Sequence, residues 1–387
     1  MLIFILRGGS SAAQHGLKLS GQVGQGGEWR MTNLRKNRVS IVVIGGGISG
    51  LAASWRVREL APEARLLLLE ASDRWGGVLQ TIKQDGFLIE RSADSFITDQ
   101  PWGLDFCRRI GVEDQLIKTR PTDRRAYVVR KGRLVPVPDG FQIMAPARLR
   151  SVLASPVLSW WGRLRLCCEP LIRARGAEQD EESLAEFATR RLGREAYQRL
   201  VQPLVAGIYA ADPHQLSVAA TMPRFIEMER QYGSLFRGLR ARQLNSRRDR
   251  QDSGARYSMF VSLRDGMGSL VDAIAARLPP HSLRLNTAVR QVGRDGSGWQ
   301  LTVDGQAEPI RCDRLIVATS ARVASGLLQD CDHELATDLA GIPHGSIAVV
   351  CLAYRHAQLR HPLQGFGFVV PAIENRPLLA ASYSSEK

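Results

Sequence analysis

The sequence predicts an α/β fold in which a parallel-sheet unit is interleaved with a mixed-sheet unit and a helical insertion. Three observations carry this. The run Val39-Ser40-Ile41-Val42-Val43-Ile44 is β-branched, uncharged and followed at once by glycine. Residues 48–60 have helix-forming composition and stop at Ala61-Pro62, where proline cannot continue a helix. A second apolar run, Arg65-Leu66-Leu67-Leu68-Leu69-Glu70, comes next. Continuous apolar runs, rather than alternation, are what strands covered on both faces require. Strand, helix and strand in that order make a βαβ unit.

The other elements follow along the chain. Residues 1–38 are rich in Gly, Ser and Gln without periodicity and read as a disordered extension, with Met31 an alternative start. Residues 139–255 read as mostly helical, interrupted by prolines and arginine-rich faces. Gly266 and Gly268 precede a helix within 263–278. Residues 283–292, 299–303 and 314–319 read as strands, and 346–386 as alternating strands and turns. No internal repeat is found.

The chain has 387 residues, enough for roughly two to three domains. It is 44% hydrophobic and 23% charged, which excludes generalised disorder because enough apolar surface exists to offset chain entropy. With 36 Gly and 18 Pro it is neither collagen-like nor low-complexity. The net charge of +14 favours an anionic partner such as nucleic acid, anionic lipid or a polycarboxylate; an arginine-rich proteome gives the same balance. No block of five like charges marks a nucleic-acid tail, so no nucleic acid is expected. The six cysteines form no CxxC pair and read as reduced and structural, in a cytoplasmic compartment. The run LIFIL is too short for a signal-peptide core. The longest uncharged stretch, 39–55, is glycine-interrupted, so no spanning helix is expected.

Gly45-Gly46-Gly47-Ile48-Ser49-Gly50 fits GxGxxG through Gly45, Gly47 and Gly50. The pattern alone is weak. Here it follows a buried strand, opens a helix, and has Glu70 about twenty residues further on, closing the next strand. Gly45 permits the tight turn. Gly47 lets the backbone, with the N–H groups of Ile48 and Ser49, approach a pyrophosphate at the positive end of the helix. Gly50 allows helix and strand to close up. Glu70 accepts hydrogen bonds from ribose hydroxyls and repels a 2′-phosphate. The alternative is a Gly-rich turn of an unrelated α/β fold. The unit is therefore Rossmann-like. Ala71-Ser72-Asp73-Arg74-Trp75-Gly76-Gly77-Val78 extends it, with a basic residue and a Gly pair that bring the chain near a second phosphate.

That extension resembles the FAD motif of the amine-oxidase-like flavoproteins, so the expected cofactor is FAD. Three further stretches narrow the group: Gly207-Ile208-Tyr209-Ala210-Ala211-Asp212-Pro213-His214-Gln215-Leu216-Ser217; Leu263-Arg264-Asp265-Gly266-Met267-Gly268-Ser269-Leu270; and Gly365-Phe366-Gly367-Phe368-Val369-Val370-Pro371 followed by Ala381-Ser382-Tyr383-Ser384-Ser385-Glu386-Lys387. In this order they resemble the oxygen-dependent protoporphyrinogen oxidases over roughly residues 39–387. The sequence departs from the group at Ala211, usually glycine, and at Arg91-Ser92-Ala93-Asp94-Ser95, usually a Gly-Pro-rich turn near the flavin. The group continues beyond the Ser-Ser-Glu-Lys stretch, so a chain lacking the C-terminal FAD-binding segment is expected.

The resemblance implies six-electron oxidation of a porphyrinogen to a porphyrin in three two-electron steps, each moving hydride to flavin N5, with molecular oxygen reoxidising the flavin. The cofactor carries the hard chemistry, which accounts for the lack of a Ser-His-Asp or Cys-His constellation. No metal is expected, and no catalytic base is identified. A carboxylate-bearing tetrapyrrole needs apolar walls, an aromatic face and a guanidinium. The resemblance points to an arginine just before Tyr127. The ungapped match falls on Ala126, leaving Arg125 with a one-residue shift, or Arg124. It makes Phe366 the ring that stacks on the tetrapyrrole, places Gly207 against the reacting carbon, and gives Val289 the adenine contact. It puts Ser92, Ala93, Asp94 and Ser95 near the flavin. The bland alternatives are a solvated arginine, core packing for Phe366, a helix-ending glycine and an edge-strand valine.

Residues 146–175 carry Trp160, Trp161, Leu149, Val152, Leu158, Leu164, Leu166, Leu171 and Ile172 among six arginines, as a lipid interface does. The alternative is a helix pair packed on the core. The expected domains are a 1–38 extension, an FAD-binding part at 39–121 and 258–329, a helical insertion at 138–257, and a substrate-binding part at 122–137 and 330–387. Expected partners are the porphyrinogen, molecular oxygen, a peripheral membrane surface and a second copy of the chain. Other readings are a coproporphyrinogen oxidase, another amine-oxidase-like flavoenzyme acting on an amine or polyene, and a truncated flavoprotein without catalysis.

Overall fold

The computed structural model describes residues 4–7, 38–98, 100–120, 125–146, 149–176, 181–209, 211–248, 260–359 and 363–386. The chain divides into two compact units. One comprises Met1–Ile117, Met259–His344 and Val349–Cys351; the other comprises Lys118–Ser258, Gly345–Ala348 and Leu352–Lys387.

The first unit is built on a five-stranded sheet in the order Phe4–Arg7, Arg314–Val317, Ser40–Ile44, Arg65–Leu69, Leu283–Arg284. The last four strands are parallel, with Ile44 opposite Leu69 on one side and Val317 on the other. The helix Ile48–Leu60 makes the crossover. Period-two alternation sends successive side chains of the central strand to opposite faces. Ile41 and Val43 enter a core with Leu51, Leu68, Val271 and Ile274. Val42 and Ile44 enter a second core with Trp299, Leu301, Val317 and Leu328. Leu51, Leu68, Leu301 and Val317 are fully buried, each contributing about 1.5–3 kcal/mol of hydrophobic stabilisation. Both faces are thus covered, as the uninterrupted apolar runs require.

Three elements differ from the sequence reading. Phe4–Arg7, inside the stretch expected to be disordered, pairs antiparallel with Arg314–Val317 and covers an otherwise open sheet edge. The strand expected over 283–292 is two strands, Leu283–Arg284 and Val289–Asp295, because Asn286 takes φ 50° and turns the chain between sheets. Residues 343–355 have no regular structure, and Ile347, Val350, Leu352 and Tyr354 are exposed.

The second unit pairs a four-stranded mixed sheet, in the order Ala380–Ser382, Gly367–Val369, Ala126–Arg130, Arg133–Pro136, with helices between 149 and 248. Val128 shares one core with Leu158, Leu166, Leu184, Phe187 and Phe225. Ser183 and Glu186 form a reciprocal capping box at the start of the helix Leu184–Leu192. Within this core Arg191 and Glu169 are fully buried and ion-paired, and Arg191 also reaches Glu229 at 3.3 Å. Glu169 in turn accepts from Ser234 Oγ at 2.6 Å and Leu235 N–H at 2.9 Å, which caps the helix Leu235–Arg248.

The tract proposed for a lipid surface is divided by the packing. Val152, Leu158 and Leu166 are buried, while Trp160, Trp161, Leu164 and Leu171 are exposed. Leu149 and Arg148 fall outside the described side chains. Among the described residues no helix is long and apolar enough to cross a membrane.

Candidate functional site

The strand Ser40–Ile44 ends in a turn shaped by its glycines. Gly45 has φ +102°, and its N–H bonds to the Leu69 carbonyl at 2.8 Å. A Cβ on Gly50 would run into the Gly45 carbonyl, and one on Gly46 would lie 2.6 Å from the Trp75 ring. At Gly47 the direction of a Cβ is open space. Gly47 is also the N-cap of the helix and offers no side chain to its first N–H groups. Those donors have no partner within the helix and carry the positive end of its dipole. Open space in front of uncapped N–H groups is a cradle for an anion.

Glu70 stands beside the turn. One carboxylate oxygen accepts from Gly46 N–H at 2.6 Å; the other accepts from Ser72 N–H and Oγ at 2.9 and 2.8 Å. The acid is thereby fixed against the cradle. The segment leading to Val289 abuts it, since Thr287 N–H bonds to the Glu70 carbonyl at 2.8 Å. Gly76 bridges to Gly47, and Gly76 N–H bonds to the Gly46 carbonyl at 2.9 Å, so the Gly pair does pass over the turn. Arg74 does not reach outward. Its guanidinium donates to the carbonyls of Trp75, Gly77 and Leu79, so it braces the loop. Ile48 is partly buried, Ser49 is buried, and Ala71 and Val78 are exposed. Ser92, Ala93, Asp94 and Ser95 form a loop tied by Ser262 Oγ to the Asp94 carbonyl at 2.6 Å.

Sequence reasoning missed the anchor of the Leu263–Leu270 stretch. Glu90 accepts from Met267 N–H at 2.6 Å and Thr81 Oγ1 at 2.8 Å, and Thr81 accepts from Gly268 N–H at 2.7 Å. Together they cap the helix Gly268–Arg277. Trp75, which lies over Gly46, was not singled out either.

In the second unit, Phe366 and Arg125 are brought together: Phe366 N–H bonds to the Arg125 carbonyl at 2.8 Å. Gly365 (φ +82°) and Gly367 (φ +131°) make this possible, because a Cβ on either would meet the carbonyl of Arg125 or Ala381. Arg125 is exposed and Phe366 partly exposed. Arg124 lies outside the described residues. Gly207 sits inside the helix Gln202–Tyr209 and is exposed. A Cβ there would find Val369 at 3.8 Å and Ala380 at 3.9 Å, ordinary contact, so packing does not demand glycine.

A buried strand, a glycine turn with uncapped N–H donors and an acid fixed beside it define a dinucleotide-binding protein of the Rossmann-like class. The chain belongs to the flavin-containing amine oxidoreductase family, which matches residues 48–386. It is similar to coproporphyrinogen III oxidase of Bacillus subtilis (strain 168), 29% identical over 351 residues that cover 90% of this chain and 73% of that protein. It is 30% identical over 365 residues to protoporphyrinogen oxidase of Bos taurus, covering 89% of this chain and 73% of the relative. Among solved structures, an Exiguobacterium sp. 255-15 protein assigned as a protoporphyrinogen oxidase superposes with a TM-score of 0.75 at 25% identity, over 91% of this chain and 74% of that one. The chain is thus a flavin-using oxidoreductase, and its cradle fits the dinucleotide part of FAD.

Proposed function

We propose that the chain oxidises protoporphyrinogen IX to protoporphyrin IX with molecular oxygen as acceptor, a reaction of haem biosynthesis. The observation that carries the reading is Glu70 held 2.6 Å from Gly46 N–H at the mouth of an open cradle, in a chain whose relatives bear porphyrinogen oxidase names. Bound there, FAD would supply the hydride acceptor and the route for the electrons to oxygen. The chain's residues bind and orient. Gly45, Gly47 and Gly50 shape the cradle, Ile48 and Ser49 N–H groups meet the diphosphate, Glu70 holds the ribose hydroxyls, and Val289 borders the adenine. Arg74, Gly76 and Gly77 keep the second loop closed over the turn, with Ala71 and Val78 at its exposed ends. Ser92, Ala93, Asp94 and Ser95 face the flavin. At the sheet end Phe366 stacks on the tetrapyrrole, Arg125 or its neighbour Arg124 pairs with a carboxylate, and Gly207 leaves room for the reacting carbon.

The second reading is coproporphyrinogen III oxidation, favoured by the name of the bacterial relative. Turnover of the two porphyrinogens, followed by product fluorescence, separates them. The proposed reading expects kcat/KM at least about tenfold higher for protoporphyrinogen, the equivalent of ~1.4 kcal/mol in transition-state binding. The reverse ratio supports the second reading, and no porphyrin from either overturns both.

The chain works at the cytoplasmic face of a membrane. Trp160 is 67% and Trp161 76% exposed, beside Leu164 and Leu171, on a helix whose Ser159 cap fixes their direction. Exposed aromatics with basic neighbours suit the headgroup level. Wild-type protein is expected to float with vesicles containing anionic lipid, and the Trp160→Ala, Trp161→Ala double variant to stay largely behind. Equal flotation contradicts this contact.

A further inference from the structure

The turn between the strand Ser40–Ile44 and the helix Ile48–Leu60 consists of Gly45, Gly46 and Gly47, and so has no side chain of its own to hold it. A glycine run is the most freely rotating stretch a chain can contain. The restraint comes from the loop after Glu70. The six-membered ring of Trp75 lies over Gly46: a Cβ on that glycine would stand 2.6 Å from Trp75 Cε3 and 2.8 Å from Cζ3. The same Cβ would stand 2.8 Å from the Cβ of Glu70. The indole ring and the Glu70 stem therefore close on one glycine with no room for a methyl group. The Gly46 peptide is also bonded at both ends. Its N–H donates to the Glu70 carboxylate at 2.6 Å, and its carbonyl accepts from Gly76 N–H at 2.9 Å. Trp75 itself is anchored. It is half-buried and packs against the core that contains Leu51, Leu68 and Val271, and its loop is braced by Arg74.

We propose that Trp75 is a positioning residue for the dinucleotide: it fixes the Gly46 peptide, and through it the Glu70 carboxylate, where the adenosine ribose is taken. The proposal deepens the cofactor assignment and rests on FAD occupying the cradle. Two physical arguments carry it. First, a binding site whose backbone must be ordered on binding loses that ordering entropy from its affinity, and a wall that orders the backbone beforehand removes the loss. Among three consecutive glycines only an outside group can be that wall, and the Trp75 ring stands where it is needed. Second, the Glu70 carboxylate takes its orientation partly from Gly46 N–H. That bond holds only while the Gly46 peptide stays in place. With the ring gone, Gly46 is free to rotate away, and Glu70 loses one of the donors that aim it at the cradle. A ring that served only as core packing would have no reason to meet the one glycine that donates to the acid.

The test measures binding to the full chain freed of flavin, with FAD followed by its fluorescence and ADP by isothermal titration calorimetry. Trp75→Ala is expected to weaken FAD about tenfold, the order of loss when a group that orients a ligand-holding side chain is removed. ADP is expected to weaken by the same factor, because it carries the ribose and diphosphate without the flavin. Trp75→Phe keeps a planar ring and is expected to bind both within about threefold of wild type. Trp75→Ala combined with Glu70→Ala is expected to lose no more than about threefold beyond Glu70→Ala alone, since a residue that acts through Glu70 then has little left to act on. A urea midpoint lowered by Trp75→Ala with both affinities of the folded protein unchanged overturns the proposal, and so does an additive loss in the double variant. Far-UV circular dichroism checks folding, and Trp75→Leu carries the same expectations if Trp75→Ala does not fold. If Glu70→Ala leaves FAD affinity unchanged, the cradle assignment falls and the proposal with it. A loss for Glu70→Ala without one for Trp75→Ala overturns the proposal alone.

Discussion

Replacing Glu70 by alanine is expected to lower FAD affinity by about two orders of magnitude. The carboxylate is already oriented: it is pinned by Gly46 N–H and by Ser72 beside the open cradle at Gly47. A bound ribose offers two hydroxyl donors, and hydrogen bonds to a charged acceptor contribute about 1.5–3 kcal/mol each. Losing both costs at least ~3 kcal/mol, and each 1.4 kcal/mol is tenfold. Alanine also strips Gly46 N–H of its acceptor, which loosens the turn. Glu70→Gln keeps an acceptor oxygen but not the charge, and a loss of about tenfold is expected. Quenching of FAD fluorescence on titration with apoprotein measures both. An affinity within about threefold of wild type for Glu70→Ala contradicts the role assigned to this acid.

The second large effect is on stability. Arg191 is fully buried, and its guanidinium binds Glu169, also fully buried, together with Glu229 and the carbonyls of Ile172 and Gly233. Removing one partner of a buried ion pair leaves an uncompensated charge in a dry environment, which costs about 3–5 kcal/mol. Arg191→Met, close in volume but uncharged, is therefore expected to lower the unfolding free energy by that amount, read from far-UV circular dichroism in urea. Adding Glu169→Gln to the same chain is expected to restore at least about 1 kcal/mol, because one stranded charge is gone while the amide oxygen still accepts from Leu235 N–H and the amide nitrogen donates to the Ser234 hydroxyl, the two groups that the carboxylate oxygens bind separately. A loss below about 1 kcal/mol for Arg191→Met, or no recovery in the double variant, contradicts the view that this pair holds the helical part together.

The parallel-sheet unit was legible because its signals are local. The apolar run before Gly45 became the strand Ser40–Ile44, and the helix runs from Ile48 to Leu60 as its composition and the Ala61-Pro62 stop require. The acid predicted to face the turn does face it. What could not be read depends on partners far along the chain. Glu90 and Thr81 cap a helix whose first residues lie 177 and 187 positions away. Arg74, expected among the cofactor-binding residues, donates to the carbonyls of its own loop, a local role that the motif does not display. Arg190 and Arg191, within the tract read as helical with arginine-rich faces, pair with Glu169, Glu182 and Glu229, acids that lie up to 39 positions away. Val152, Leu158 and Leu166 face the core while Trp160, Trp161, Leu164 and Leu171 do not, a choice made by helix packing that spacing alone does not reveal. The π turn at Tyr197–Val201 has no signature in the sequence, since one extra residue in a helical turn leaves composition unchanged.

The most direct measurement is a crystal structure of the chain grown with FAD. The account predicts electron density for the diphosphate against the N–H groups that follow Gly47, with the adenosine ribose within hydrogen-bond distance of Glu70. Density for the dinucleotide elsewhere, or a cradle that stays empty at saturating FAD, contradicts it.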